Sequence, residues 1–326
     1  MTVKLSLVVP MYNEADNIEA FFKALIPVVE RTVDEYEVIC VNDGSSDNTI
    51  ELLKTKNQTN QNIKVIDLSR NFGKEFALTA GLQFTSGDAV IPLDADLQDP
   101  PELIPELIEK WREGYKVIHC VRTDRQSDSF IKRSTANLFY RINRKLSDVP
   151  IPENVGDFRL MDRQVVEALR QLPERTRFMK GLFAWLGYDQ TQVTYIRSAR
   201  SIGTTKWSFW RLWNFALDGI FSFSTAPLRI WTYLGFLVAV AAAIYMAFII
   251  FRVLIMGVDV PGYASTVVLL LFFSGLNMIG LGILGEYIGR IFTEVKQRPL
   301  YLIKQTIGLE NSTPPVNQNK HRPEFE

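Results

Sequence analysis

The stretch Val90-Ile-Pro-Leu-Asp-Ala-Asp-Leu-Gln-Asp-Pro-Pro-Glu102 holds a strand, an acidic turn and a helix start in one short run. The apolar residues Val90–Leu93 end on Asp94 and Asp96, and alternate residues of an extended chain share a face. Two carboxylates at a strand end are hard oxygen donors suited to Mg²⁺ or Mn²⁺, and such an ion bridges to a diphosphate. The pair alone is equally compatible with a solvated turn. Asp99, Pro100, Pro101 and Glu102 then read as a helix start, with Asp as N-cap, proline in the first turn and Glu three residues on. Gly114 reads as the stop of that helix.

Outward from this stretch the same rhythm recurs. Leu5–Pro10, Glu37–Val41, Ile63–Leu68 and Lys116–Val121 are apolar, β-branched runs with helical stretches between them. Alternation of this kind predicts an α/β, Rossmann-like, mostly parallel sheet with its site at the carboxyl ends of the strands. Polar residues collect there: Tyr12, Asn13 and Glu14 after the first strand, Asn42–Ser45 after the second, Arg70 and Asn71 after the third. No G-x-G-x-x-G and no G-x-x-x-x-G-K-[ST] occurs. Nicotinamide, flavin and Walker-type ATP binding therefore lack their phosphate-cradling loop.

Composition narrows the chemistry further. The chain has 326 residues with 36 Lys+Arg against 36 Asp+Glu, so it lacks the positive excess of a nucleic-acid binder. At 47% hydrophobic with 21 Phe, disorder over most of the length is excluded. Cys40 and Cys120 lie in apolar runs and read as buried core thiols. The histidines, His119 and His321, are too few for Ser-His-Asp, Cys-His or His-ligated metal chemistry. Carboxylates remain as the catalytic groups.

The second half changes character. Ile230–Phe251 and Val260–Gly285 contain no charged residue, and the shorter run reaches ~33 Å as a helix, enough for a ~30 Å hydrocarbon layer. Buried helices of a large soluble core pass the same test, but two such runs in tandem, hydrophobic all round, favour a two-helix transmembrane hairpin. Arg197, Arg200, Lys206, Arg211 and Arg229 precede the hairpin and Arg290, Lys296, Arg298 and Lys304 follow it, whereas its loop offers only Arg252. That bias places both termini in the cytoplasm. Trp207, Trp210, Trp213, Leu217 and Phe221 recur at helical spacing. They fit either a core helix or an amphipathic helix lying in the membrane interface, and the neighbouring span favours the latter. The expected organisation is a cytoplasmic catalytic domain over 1–205, an interfacial helix over 206–228, two transmembrane helices over 229–290, and a cytoplasmic tail over 291–326 with a disordered end. The Gly285-x-x-x-Gly289 spacing, with Gly280 and Gly282 nearby, suits either a homo-oligomer held through the second span or packing against the first.

The stretch from Val90 to Glu102, taken with Val8-Val-Pro-Met-Tyr-Asn-Glu14 and Val41-Asn-Asp-Gly-Ser-Ser-Asp47, resembles family 2 glycosyltransferases of the GT-A fold. The resemblance continues through Ser69-Arg-Asn-Phe-Gly-Lys-Glu75, Asn154-Val-Gly-Asp-Phe-Arg-Leu-Met161, Arg177-Phe-Met-Lys-Gly181 and Gly285-Glu-Tyr-Ile-Gly-Arg290. Within the family the chain is similar to polyprenyl-phosphate glycosyltransferases, among them the bactoprenol glucosyltransferases and dolichol-phosphate mannose synthases. That implies an enzyme of the bacterial inner membrane moving one sugar, with inversion, from a nucleotide diphosphate to a lipid phosphate. Glucose from UDP-glucose and undecaprenyl phosphate are the substrates favoured by resemblance. GDP-mannose and donors of the UDP-aminoarabinose type stay open, as does a non-enzymatic flippase or channel subunit.

By that resemblance Pro10, Tyr12, Asn13, Glu14, Asp43 and Lys74 line the nucleotide-sugar pocket. Asp94 and Asp96 hold the metal, Gln98 faces the sugar, and Asp157 occupies the position proposed as catalytic base. Arg122, Lys132 and Arg133 fall where the family gathers cations for the lipid phosphate; Arg200 and Lys206 fall in a mobile loop over the site. Each also has a plain alternative: Tyr12 and Asn13 as turn residues, Asn42-Asp43-Gly44 as a generic turn, Arg122–Arg133 as a solvated basic face.

Overall fold

The computed structural model describes residues 3–122, 155–175, 179–195, 224–257 and 262–309. Of these, residues 3–122, 155–175, 179–195 and 298–309 belong to one compact unit, and residues 224–257 and 262–297 to a second.

In the first unit, strands β1 (Lys4–Met11), β2 (Glu35–Asn42), β3 (Ile63–Leu68), β4 (Ala89–Pro92), β5 (Val117–Arg122), β6 (Val155–Asp162), β7 (Gln190–Tyr195) and β8 (Ile303–Ile307) make one sheet. The order is β7-β5-β6-β4-β1-β2-β3-β8. β1 pairs in parallel with β2 and β4, β2 with β3, and β5 with β7. The mostly parallel sheet expected from the alternating pattern is present, and its first five strands fall on the five apolar runs. Crossovers α1 (Ile18–Thr32), α2 (Thr49–Thr59), α3 (Lys74–Phe84) and α4 (Ile104–Arg112) return the chain between successive parallel strands. α1 buries Ile18, Phe21, Phe22, Leu25, Val28 and Val29, the i, i+3, i+4, i+7 stripe of a helix facing a sheet. They share a core with Leu53 of α2 and Leu107 and Ile108 of α4.

On the opposite face α3 lies unusually close to the strands. A Cβ at Gly81 would stand 2.3 Å from Val8 Cγ1 and 3.0 Å from Val41 Cγ2. Ala77 and Ala80 pack beside it with Ile39, Val41 and Ile66. This small-residue face fixes where the first residue of α3, Lys74, is presented.

Three features depart from the sequence reading. β6 enters between β4 and β5 and is antiparallel to both, so Asp157 and Arg159 lie on a strand inside the sheet. Its alternation is hidden because Phe158, Arg159, Leu160 and Met161 are all buried, on both faces. β8 comes from the segment expected as tail; it pairs antiparallel with β3 and covers that edge of the sheet. Asp99 does not cap: a 3₁₀ turn begins at Pro101 with no side-chain cap, and α4 follows from Ile104. The Asp99 carboxylate instead receives the Tyr195 hydroxyl of β7. Gly114 does follow α4, at φ +109°. Both cysteines are buried. Among the described residues the unit has two further helices, α5 (Arg163–Gln171), N-capped by Asp162, and α6 (Met179–Trp185).

The second unit holds α7 (Ala226–Met256) and α8 (Tyr263–Val295). Both are long and apolar enough to cross a membrane, with an 18-residue stretch of mean hydropathy 2.6 within Ala226–Arg252 and one of 2.3 within Thr266–Val295. α7 runs four residues before and five beyond its charge-free segment, and α8 starts three residues inside its own and ends ten beyond it, because helical hydrogen bonding does not stop at the first charge. Tyr287 donates its hydroxyl to the Ser224 carbonyl across 2.7 Å. Gly280 admits Trp231: a Cβ there would stand 2.1 Å from the indole nitrogen. Of the segment 206–228, expected as an interfacial helix, residues 206–223 lie outside the described residues, and Ala226–Leu228 are instead the first residues of α7.

Candidate active site

The carboxyl ends of β1, β2, β3 and β4 meet in one set of loops, tied together side chain to backbone. Asn13 sits at φ +54°, a left-handed conformation that asparagine tolerates better than most residues. Its amide donates to Ser45 Oγ at 2.9 Å and its Oδ1 accepts from the Ser46 amide at 2.8 Å. The Glu14 amide donates to Thr49 Oγ1, and the Asn17 side chain donates to the Glu14 carboxylate. Pro10 is in β1, and Tyr12 is 40% exposed just beyond it. An exposed aromatic ring beside these rigid turns offers a flat surface.

Asp43 holds the next loop. Its carboxylate accepts from the Phe72 and Gly73 amides at 2.7 and 2.8 Å, the turn from which α3 springs. Burial pushes its carboxyl up against the opposing pull of these bonds. Gly44, at φ +65°, lets the two loops touch: a Cβ would lie 2.4 Å from the Arg70 carbonyl carbon. Asn13, Glu14 and Asp43, expected from the sequence to line one pocket, are thus in adjoining loops.

Lys74 is the centre of the charge. Its ammonium lies 2.7 Å from an oxygen of Asp94 and 2.6 Å from Asp157. It joins the end of β4 to the middle of β6, residues 20 and 83 positions away in sequence. Burial works against its charge, but Asp157 and then Asp94 hold the ammonium well above the ordinary lysine range. Burial likewise raises Asp94; Lys74 opposes that and the Asp157 charge adds to it.

The loop after β4 carries strain. Leu97 has φ +54°, which costs a branched L-residue about 1–3 kcal/mol, and such outliers cluster at functional sites. The Gln98 amide donates to Asp96 Oδ1 at 3.1 Å, and Gln98 itself is buried, 5% exposed. Asp94 and Asp96 are half-buried on either side of buried Ala95. Among the described residues no group of three His, Cys, Asp or Glu could hold a metal. The two hard carboxylates at a strand end still fit Mg²⁺ or Mn²⁺, which complete their shells with substrate phosphate and water.

Sequence reasoning gave no role to Arg159, which is 1% exposed beneath Asp157. Its guanidinium donates to the Gly156 and Asp157 carbonyls at 2.7 and 3.3 Å and lies 4.0 Å over the Phe183 ring. Burial lowers it to about 10 while Asp157 and Glu75 oppose that. Beside it His119 Nε2 donates to Gln190 Oε1 across 2.8 Å, and burial with the Arg159 charge lowers it to about 4, so the imidazole is neutral. Arg122 is the last residue of β5. Lys132, Arg133, Arg200 and Lys206 lie outside the described residues.

Comparison with known proteins decides the family. The model of glycosyl transferase family 2 matches residues 6–170, which spans all of the loops above. The chain belongs to glycosyltransferase family 2. This glycosyltransferase is 56% identical over 95% of its length to a protein described as an uncharacterized glycosyltransferase of Synechocystis, of which 98% is covered. It is 49% identical over 93% of its length to the SfII prophage-derived bactoprenol glucosyl transferase of Shigella flexneri, again covering 98% of that protein. It is 49% identical to a prophage bactoprenol glucosyl transferase homolog of Escherichia coli, with 93% and 99% covered. Among solved structures it is similar to a mannosyltransferase from Pyrobaculum calidifontis in complex with GDP-Man and Mn2+. Identity there is 17% and the TM-score 0.48, over 92% of this chain and 89% of that one.

Proposed function

We propose that this glycosyltransferase moves one glucose from UDP-glucose to a polyprenyl phosphate, undecaprenyl phosphate by class, with inversion at the anomeric carbon. The observation that carries the reading is the 49% identity to bactoprenol glucosyl transferases, which runs through both apolar helices. An acceptor with a polyprenyl tail resides in a membrane, and α7 and α8 suit a protein that must work beside one. By the bias of basic residues the reaction takes place on the cytoplasmic face.

Asp94 and Asp96 would hold Mg²⁺ or Mn²⁺; when bound, such an ion offsets the negative charge that grows on the departing nucleotide diphosphate. The loops around Asn13, Glu14 and Asp43 receive the nucleotide, with Pro10 and Tyr12 beside them, and Gln98 sets the loop facing the sugar. Lys74 adds a fixed positive charge where the diphosphate oxygens arrive, while its contact with Asp157 holds that carboxylate in place. Arg122, with Lys132, Arg133, Arg200 and Lys206, supplies cations for the lipid phosphate.

Asp157 acts in this scheme as a positioning group. A phosphate monoester has its second pKa near ~6, so the attacking oxygen is already mostly ionised at neutral pH. A base is needed when the nucleophile carries a proton, as a sugar hydroxyl does. A Cβ at Gly282, Gly285 or Gly289 would meet nothing within 4 Å, unlike one at Gly280; we assign that stripe to contact with a second copy of the chain.

The test is direct. Membranes carrying the protein are incubated with labelled UDP- and GDP-sugars, supplemented with undecaprenyl or dolichyl phosphate, and extracted with organic solvent. Label from UDP-glucose should enter the organic phase with undecaprenyl phosphate. Label that stays in the aqueous phase with every donor overturns the reading.

A further inference from the structure

The strand after the second long helix reaches the nucleotide loops through a line of polar contacts, buried between Asp67 and Asn42 and partly buried at either end. Gln305 of β8 donates its amide to Asp67 Oδ2 at 3.0 Å. Asp67, 3% exposed on β3, accepts at its other oxygen from the Asn42 side chain, 2.7 Å away. Asn42, 2% exposed, turns its Oδ1 to the Ser45 amide at 3.3 Å. Ser45 Oγ in turn receives the Asn13 amide at 2.9 Å. The next residue after Asn42 is Asp43, whose carboxylate sets the turn ahead of Lys74.

The chemistry makes this line directional. Asn42 must give its amide N–H to Asp67 for its carbonyl to face Ser45, and a carboxylate at 67 accepts only, so it fixes that orientation. A buried carboxylate is costly unless its lone pairs are met. Two amide groups meet them here, one from β2 and one from β8; the exposed Lys304 ammonium adds a charge at 3.8 Å. The register of β3 against β8 shifts between Asp67 and Leu68, and bulges commonly re-aim a side chain beside a site. Ser69 also donates its amide to the Leu302 carbonyl at 2.9 Å. β8 therefore grips β3 where β3 ends and the Arg70–Gly73 loop begins.

We propose that Gln305 is a positioning residue for the nucleotide sugar, acting through Asp67 and Asn42 on the loops of Asn13 and Asp43. This rests on the donor pocket assigned under Proposed function. β8 starts at Ile303, shortly after α8 ends at Val295, so the segment that leaves the apolar hairpin helps to complete the donor pocket. Removing the chain from 298 onward would then damage donor binding even though every residue that touches donor is retained.

The full-length membrane protein tests this with labelled nucleotide sugar and added polyprenyl phosphate. Gln305→Leu should raise the donor KM on the order of tenfold, the scale of one lost hydrogen bond to a charged group, with the acceptor KM unchanged. Asn42→Ala cuts the line at its other link and should give the same selective loss. Because the two act in one network, the double variant should be no worse than the worse single one. Ile307→Ala loosens the same strand in its core packing and should lower the melting temperature while leaving the donor KM alone. An unchanged donor KM in Gln305→Leu, losses that multiply in the double variant, or a rise with Ile307→Ala equal to that of Gln305→Leu overturns the proposal. A wild-type protein that transfers no sugar overturns the functional reading itself, a result distinct from any of these.

Discussion

The two ends of the sheet carry the same chemical elements in opposite states. At the amino ends of the strands, Glu37 is buried and accepts from Ser6 Oγ at 2.6 Å, the Ser86 amide at 2.6 Å, Ser86 Oγ at 2.9 Å and Lys64 at 2.6 Å. One carboxylate there has four donors. At the carboxyl ends Lys74, its side chain 41% exposed, stands against two carboxylates, with Asp96 beside them. The first cluster is over-supplied with donors, so its charge is settled and it serves to knit β1, β2, β3 and the loop before β4. Among the described residues the second sets Asp94 and Asp157 against the one ammonium of Lys74, with Asp96 in the same turn and the Arg159 guanidinium beneath Asp157. An excess of carboxylate over ammonium is unfavourable for folding and favourable for taking up a cation or a substrate group. A lysine–carboxylate contact is therefore uninformative until the donors around it are counted.

The comparison breaks first at Asp96. Asp96→Ala should cost several kcal/mol in the barrier, the scale of Lewis-acid stabilisation, while the melting temperature stays within a few degrees. Full activity of the wild type in excess EDTA would remove the metal from the scheme. Asp157→Asn should lower the rate on the order of 10²–10⁴-fold, by an amount that is constant between pH 6 and 8. Recovery to near the wild-type rate by pH 8 would instead make Asp157 a base, since the acceptor deprotonates itself over that range.

Glu37→Gln should do the reverse, costing about 3 kcal/mol of stability with unchanged donor and acceptor KM in the folded protein. Its pH dependence follows from the same contacts. Burial would raise Glu37, but Lys64, Ser6 and Ser86 together hold it below the ordinary 4.5. Its stabilisation is therefore present above 4.5, is lost as pH falls through that value and below, and should be missing from the acid unfolding profile of Glu37→Gln. A variant as acid-sensitive as wild type would dissolve the contrast between the two ends. Gly81→Ala is the smallest expected effect, about 1–3 kcal/mol of overpacking between α3 and β1, read as a lower melting temperature. A rise in donor KM as well would show that the seat of α3 also tunes Lys74.

Much of this was legible without coordinates. The five leading strands, the acidic turn at Asp94 and Asp96, and the two apolar runs announce themselves through period, β-branching and absence of charge, which are local properties of the chain. The motif sequences were enough to suggest family 2 before any geometry. Other features were hidden for identifiable reasons. β6 has no alternation to read because both its faces are buried, and its Asp157 and Arg159 argue against a strand. β8 is short and polar, and follows a long apolar helix. Asp99 has the pattern of an N-cap, yet its carboxylate goes to Tyr195 from a strand 96 positions away.

By itself, then, the sequence determined the class of chemistry, because the residue types able to perform it are few and only carboxylates are well supplied. It also determined the membrane-competent helices, since hydrophobicity and length are additive along the chain. Only the tertiary structure decided which charges meet. Lys74 reaches Asp94 and Asp157 because α3 can lie close on the sheet at Gly81 and because β6 inserts beside β4. Gln305 reaches Asp67 because the chain returns to an open edge after 235 intervening residues of sequence, from Leu68 to Leu302. Contacts of that range depend on how elements pack, and no local pattern in the chain encodes them.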